Sequence, residues 1–377
     1  MFRWWIQASL VLSFLTLVQE GRRPVQVTSR LSSPSTGTAQ ALAFGGGVPP
    51  GALILGETAT PPPGYGATGW KVYVDNVSPW TQKSSMSVAR CSLAGVASGG
   101  RLYALGGRIP SSPYWLSLVE EYDPATDTWA TKSSMGTARE YLAAAVVGNK
   151  LYAVGGYASG TYFDAVEEYD PFTDTWTTKS PLPTARGAPS AAVVADKLYA
   201  IGGNVLSPPY YTSAVDEYDP ATDAWIARAS MPTARAGATA VTVGSKVYVM
   251  GGSAPVAGPD QLGIVEEYDP ATDSWTARAC MLEAREGHAA VAVGGRVYVL
   301  GGYDASGEYL EAVDEYDPAT DRWSRRAFLL QKRYSLAAAS PDDETILACG
   351  GTVSGIELSM LEAFDPTVGV LFVHRKN

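Results

Sequence analysis

The sequence is short of the residues that carry most metal and redox chemistry. Two histidines, His288 and His374, in 377 residues cannot assemble a copper centre of several imidazole and tyrosine ligands. Three cysteines, Cys91, Cys280 and Cys349, are too few for a disulfide scaffold, and none stands in a C-x-x-C pair for zinc or thiol exchange. Basic residues are in deficit: 28 Lys and Arg face 38 Asp and Glu, for a net charge of −10. Binding a nucleic-acid backbone needs clustered cations that displace counterions, so no nucleic-acid partner is expected. Long apolar heptads are also missing. What is plentiful is glycine (39), tyrosine (21) and tryptophan (10), a mixture that suits short strands joined by tight turns and predicts an all-β protein.

The N-terminus stands apart. Residues 1–27 begin "MFRWWIQASLVLSFLTLVQEGRR", an apolar run from Trp4 to Val18 with the length of a signal-peptide core and short of the roughly 20 residues of a bilayer span. No small-x-small site directly follows it, and Arg22, Arg23 and Arg30 outnumber Arg3, the reverse of the usual bias. Two readings stand. One is an export signal or anchor, giving a secreted or cell-envelope protein whose only membrane contact is this segment. The other is a mis-called start or a poorly ordered tail on a cytoplasmic protein. Residues 28–47, Ser/Thr-rich at first, read as a flexible linker, and 48–83 as an N-terminal extension.

From there on the sequence repeats itself. "EYDP" recurs at 121, 168, 217, 267 and 315, with "AFDP" at 363. A tryptophan follows each tyrosine by seven positions: Tyr122 and Trp129, Tyr169 and Trp176, Tyr218 and Trp225, Tyr268 and Trp275, Tyr316 and Trp323. Glycine pairs stand at Gly106 and Gly107, Gly155 and Gly156, Gly202 and Gly203, Gly251 and Gly252, Gly301 and Gly302, and Gly350 and Gly351. An arginine precedes each pair: Arg90, Arg139, Arg186, Arg235, Arg285 and Arg333. Such self-similarity marks units that bury their faces only against their neighbours.

One unit reads as four antiparallel strands. Strand A is a small-residue run such as "YLAAAVV", B is "LYAVGG", C is "AVEEYD" and D is "TWTTK", with "DPATD" as the C-to-D turn. Small side chains suit the crowded inner strands of sheets converging on one axis, and rings on C and D fill the widening gap outside. The pattern therefore predicts a radial β-propeller. Six copies of Arg, Ala-rich strand, Gly-Gly, Tyr and Trp resemble the kelch repeat, and the Gly-His and Trp-Asp marks of WD40 blades are absent. The resemblance implies a six-bladed propeller over 84–377, with blades near 84–133, 134–180, 181–229, 230–279, 280–327 and 328–377. Two segments compete to close the last blade: "YVDNVSPW", which sets Tyr73 seven residues before Trp80, and "GVLFVHR" at the C-terminus.

The two rims differ in variability. "DPATD" is nearly invariant, so its carboxylates and proline read as a tight turn, without the central glycine and distal glutamate of an EF-hand loop. The B-to-C loops share almost nothing, and specificity resides in varied loops on a rigid frame. Kelch domains that bind peptides or proteins use the residues after each glycine pair and after each repeat arginine. The resemblance thus implies Arg108, Tyr157, Asn204 and Tyr303 from the first series, and Glu140, Glu286 and Tyr334 from the second. Loop aromatics Tyr114, Trp115 and Tyr211 add contact surface, or else cover blade edges. His288, near the channel mouth, reads as a polar lining before it reads as a general base. The six arginines would attract an acidic ligand or, the preferred reading, pair with Glu120, Glu167, Asp216, Glu266, Asp314 and Glu362 inside the blades. Cys91 and Cys349 fall at the same rim of neighbouring blades, where a closing disulfide would need an oxidising compartment.

The leading expectation is a monomeric, non-enzymatic binding module that presents the variable rim to a protein, peptide or carbohydrate and needs no cofactor or metal. The alternative is a carbohydrate-active propeller enzyme of the sugar oxidase or isomerase type, with its site at the same rim.

Overall fold

The computed structural model describes residues 80–254 and 260–366, and the backbone of five strands upstream. Those five, between Trp4 and Leu55, pair antiparallel in chain order and belong to a separate unit. The remainder of the signal-like segment, the linker and the "GVLFVHR" tail lie outside the described residues. The larger unit, Pro79–Val368, is all-β and consists of six four-stranded antiparallel blades.

Blade 2 illustrates the plan. Ala143–Val147 (A), Lys150–Val154 (B), Val166–Asp170 (C) and Thr175–Lys179 (D) pair in sequence order. Along strand A, burial alternates: Ala143, Ala145 and Val147 are buried, and Ala144 and Val146 are partly exposed. Each strand A packs against strand A of the next blade, and that of blade 6 against that of blade 1, so the ring closes. The cores lie between blades: Tyr152 and Val154 of blade 2 cluster with Leu198, Ala200 and Tyr218 of blade 3.

Blade 6 takes its outer strand from upstream. Trp80–Lys83 pairs with Leu361–Phe364 in the order Ala337–Ala339, Ile346–Cys349, Leu361–Phe364, Trp80–Lys83. Trp80 stacks on Phe364 at 5.2 Å, in the place that Tyr and Trp occupy together in the other blades, where the rings are 4.9–5.2 Å apart. One chain segment therefore bolts the first blade to the last. The ring needs no covalent closure, and Cys91 and Cys349 are free, buried thiols. Burial pushes both up to about 11, so they are protonated at neutral pH.

The glycine pairs form the joint between blades. A Cβ on Gly155 would stand 2.7 Å from the Arg186 carbonyl oxygen, and its φ of +61° is the left-handed region that glycine enters freely. The next amide, of Gly156, donates to that same carbonyl at 2.9 Å, and the equivalent bond recurs in all six blades.

Candidate functional site

The two rims are built from similar side chains put to different uses. From the start of strand C through the turn rim, every polar member of "EEYDPATDTW" is engaged within the fold, the first acid at the loop-rim end of its strand. The first acid is buried against the repeat arginine: Arg235 Nη1 meets Glu266 Oε2 at 2.5 Å, and Arg285 Nη2 meets Asp314 Oδ2 at 2.7 Å. The other four pairs, Arg90 with Glu120, Arg139 with Glu167, Arg186 with Asp216 and Arg333 with Glu362, are also present, and all six arginines are fully buried. The guanidiniums also donate to strand carbonyls, as Arg235 Nη2 does to Val249 O at 3.1 Å. None of the six is available to an acidic ligand.

The second acid of the motif pairs outward. Glu121 meets Arg101 at 2.9 Å and Lys132 at 3.2 Å, and Glu217 meets Arg228 at 2.8 Å. The first turn aspartate caps the turn, as Asp219 Oδ1 does by accepting from the Ala221 amide at 2.9 Å. The last one reaches the preceding blade. Asp223 Oδ1 accepts from the Tyr218 hydroxyl at 2.5 Å and from the Ser180 amide at 2.9 Å, while Trp225 Nε1 donates to Ser180 O at 2.9 Å. The same three-way latch recurs at Asp127, Asp174, Asp273 and Asp321. The tyrosine hydroxyl and backbone amide hold Asp174, Asp223, Asp273 and Asp321 below the usual carboxylate range.

At the loop rim, the two series of candidate residues join. The residue after each repeat arginine forms an antiparallel bridge to the one after the glycine pair of its own blade: Cys91 to Arg108, Glu140 to Tyr157, Gly187 to Asn204, Ala236 to Ser253, Glu286 to Tyr303 and Tyr334 to Thr352.

One residue further on lies a feature that the sequence did not reveal. Ser92, Tyr141, Ala188, Gly237, Gly287 and Ser335 link amide to carbonyl in a closed ring of six hydrogen bonds around the channel mouth. All six have φ between 47° and 62°. They share no side-chain chemistry, and Gly237 and Gly287 were the only hint of that conformation.

Around and below this ring lies a cavity of about 590 Å³, a typical size for a ligand site. Tyr141, Tyr157, Tyr162, Tyr211 and Tyr334 line it, together with Asn204, Glu286 and the small residues of the A strands. Glu286 is partly exposed, and its Oε1 accepts from Gln261 Nε2 at 3.2 Å.

The other candidates have different placements. Glu140 is only 5% exposed and accepts from Trp115 Nε1 at 3.0 Å; desolvation raises its pKa despite that bond and the nearby Arg108. Trp115 is thus folded inward, whereas Arg108 is exposed and Tyr114 is 45% exposed at the loop tip. Tyr303, Tyr309 and Tyr334 form a triangle of rings with centroids 5.5–5.8 Å apart, a rigid platform. Burial pushes the Tyr334 hydroxyl up to about 12. His288 borders the cavity but is 4% exposed, and its Nε2 contacts the Thr239 hydroxyl at 2.8 Å. Burial and neighbouring Arg285 push it down to about 3, so it is neutral at physiological pH. Among the described residues no hydrogen bond joins the side chains of Glu286, His288 and Tyr303, and no group of three or more His, Cys, Asp or Glu is placed to hold a metal ion.

Comparison with known proteins agrees with this architecture. A family model described as the KLHDC2/KLHL20/DRC7 Kelch-repeats domain matches residues 74–252 and 226–369. The sequence matches none of the curated proteins compared. Among solved structures, one titled "Structure of YjhT" superposes with a TM-score of 0.64 at 18% identity, over 74% of this chain and 95% of that one, a likeness of fold. With the family model spanning all six blades, the chain belongs to the kelch-repeat family of β-propellers.

Proposed function

We propose that the protein is a binding scaffold that holds a protein, peptide or carbohydrate ligand at the loop rim. The observation that carries this reading is the open tyrosine-walled cavity at the mouth of a frame whose repeated charges are otherwise paired internally. Tyrosine supplies broad, rigid contact area at low entropic cost. The rim side chains Arg108, Tyr157 and Tyr211 offer such contacts, and among the described residues none of them is in an ion pair or a side-chain hydrogen bond. An enzymatic reading is less well supported, because the neutral His288 is sequestered with Thr239 and Glu286 is bonded to Gln261.

The test is affinity capture with the wild type, with a rim variant carrying Arg108→Ala, Tyr157→Ser and Tyr211→Ser, and with Phe172→Ala on the turn rim as control. Partners recovered by wild type and control but lost by the rim variant, at unchanged melting temperature, are the expected result. Equal recovery by all three proteins refutes the assignment.

A further inference from the structure

The charge of the loop rim narrows the class of ligand. The cavity wall carries one charged side chain among its described residues, the carboxylate of Glu286. No lysine or arginine lines it, because the six repeat arginines are buried beneath and already paired with acids. The B-to-C loops above continue that bias. They hold six carboxylates, Asp164, Asp260, Asp304, Glu308, Glu311 and Glu357, against one cation, Arg108; on the same rim the D-to-A loops add Glu283 and Lys332, and Lys332 pairs with Glu308 at 3.7 Å. Five of the six lie in blades 4 to 6, and Glu286 is in blade 5, on the same side of the mouth. The opposite wall, from blades 2 and 3, is aromatic: Tyr157, Tyr162 and Tyr211. Tyr157 and Tyr162 pack at 5.4 Å across a two-residue hairpin, so these faces are held in place before a ligand arrives.

Such a cavity would reject an anion, since an incoming carboxylate or phosphate would be desolvated beside Glu286 with no cation to meet it. It suits a group that is positive at one end and flat or aliphatic along its length. A guanidinium or ammonium over tyrosine faces gains from the ring quadrupole, and more once water is excluded. Gln261 engages Oε1 of Glu286, and among the described residues no hydrogen bond engages Oε2, leaving an acceptor for a charge-assisted bond.

We infer that the loop-rim cavity receives a cationic side chain, arginine or lysine, presented by a basic peptide, with Glu286 as counter-ion and the Tyr157, Tyr162 and Tyr211 faces as the opposing wall. This rests on the loop rim being the binding surface. It adds that the ligand is a protein segment of positive charge and excludes an acidic peptide or a neutral glycan.

The experiment titrates the full chain with fluorescein-labelled hexa-arginine and, in parallel, with hexa-glutamate and maltohexaose. Because the whole protein is acidic, the control is a charge-matched variant: Glu344→Gln removes one exposed carboxylate at the opposite rim. Hexa-arginine should bind wild type and Glu344→Gln alike, and Glu286→Gln should weaken it about tenfold. Tyr157→Ser should weaken it severalfold, and hexa-glutamate should not bind. Equal weakening by Glu286→Gln and Glu344→Gln would mean diffuse attraction and overturn the proposal. Maltohexaose binding that Tyr157→Ser abolishes and Glu286→Gln leaves intact would overturn the cationic ligand while preserving the rim as the binding surface. Binding of the probes unaffected by either rim variant would overturn both readings. Melting curves of each variant separate a lost contact from a lost fold.

Discussion

The turn rim and the loop rim use tyrosines and carboxylates to opposite ends. At the turn rim, Tyr218, Asp223 and Trp225 satisfy one another and the preceding blade, and five blades repeat the arrangement. At the loop rim the backbone bridges repeat but the side chains differ from blade to blade, and Tyr157, Tyr211 and Glu286 line an open cavity. The pKa directions follow: turn-rim aspartates are held below their usual range by hydrogen bonds, whereas Glu140 at the loop rim is raised by desolvation. A carboxylate that lowers the energy of the fold and one that costs it are thus told apart by what surrounds them.

Breaking the frame should have the largest effect. Arg235→Met leaves the Glu266 carboxylate buried without its counter-ion, with only the Thr233 hydroxyl still donating to it, and is expected to cost about 3–5 kcal/mol by urea unfolding. Arg235→Met with Glu266→Gln should recover much of that. A cost below about 1 kcal/mol would mean that the pair contributes little to the frame.

Next comes the latch. Asp223→Ala removes two hydrogen bonds and places alanine at φ 52°, for an expected loss of about 2 kcal/mol. Asp223→Gly should lose less, by about 1 kcal/mol, because glycine accepts that backbone. Identical losses would show that the side chain alone matters.

The pH dependence should separate the rims by sign. Asp174, Asp223, Asp273 and Asp321 have folded pKa values below the unfolded value of 3.8, so their contribution is full above it and is lost as pH falls through the folded values. The melting temperature of wild type should therefore fall below about pH 4, and that of Asp223→Asn should fall less steeply. Glu140 is raised, so its charge opposes folding at neutral pH. Glu140→Gln should therefore not lower stability at pH 7 and should raise it if desolvation of the charge dominates. A loss there would place Glu140 with the frame.

The smallest effect is expected at Phe172, 97% exposed where the other turns have alanine. Phe172→Ala should change stability by less than about 0.5 kcal/mol.

The contrast between the rims also sets what the sequence made legible. Arg235, Gly251, Tyr268 and Trp275 occupy positions whose chemistry is demanded in every blade, so repetition exposed the strands, the turn and the buried ion pairs. The closing strand was ambiguous because an outer strand needs only an aromatic anchor, and Trp80 carries no glycine pair to announce it. The ring of Ser92, Tyr141, Ala188, Gly237, Gly287 and Ser335 was hidden because backbone conformation, not side chain, unites it. Neither the inward fold of Trp115 onto Glu140 nor the burial of His288 against Thr239 could be read, since each depends on contacts between distant residues.

Hydrogen exchange with saturating hexa-arginine tests the division between rims most directly. Slowed exchange at 157–162, 286–288 and 334–336, with no change at 219–225, is the predicted result. Protection at 219–225, or at neither rim, would contradict it.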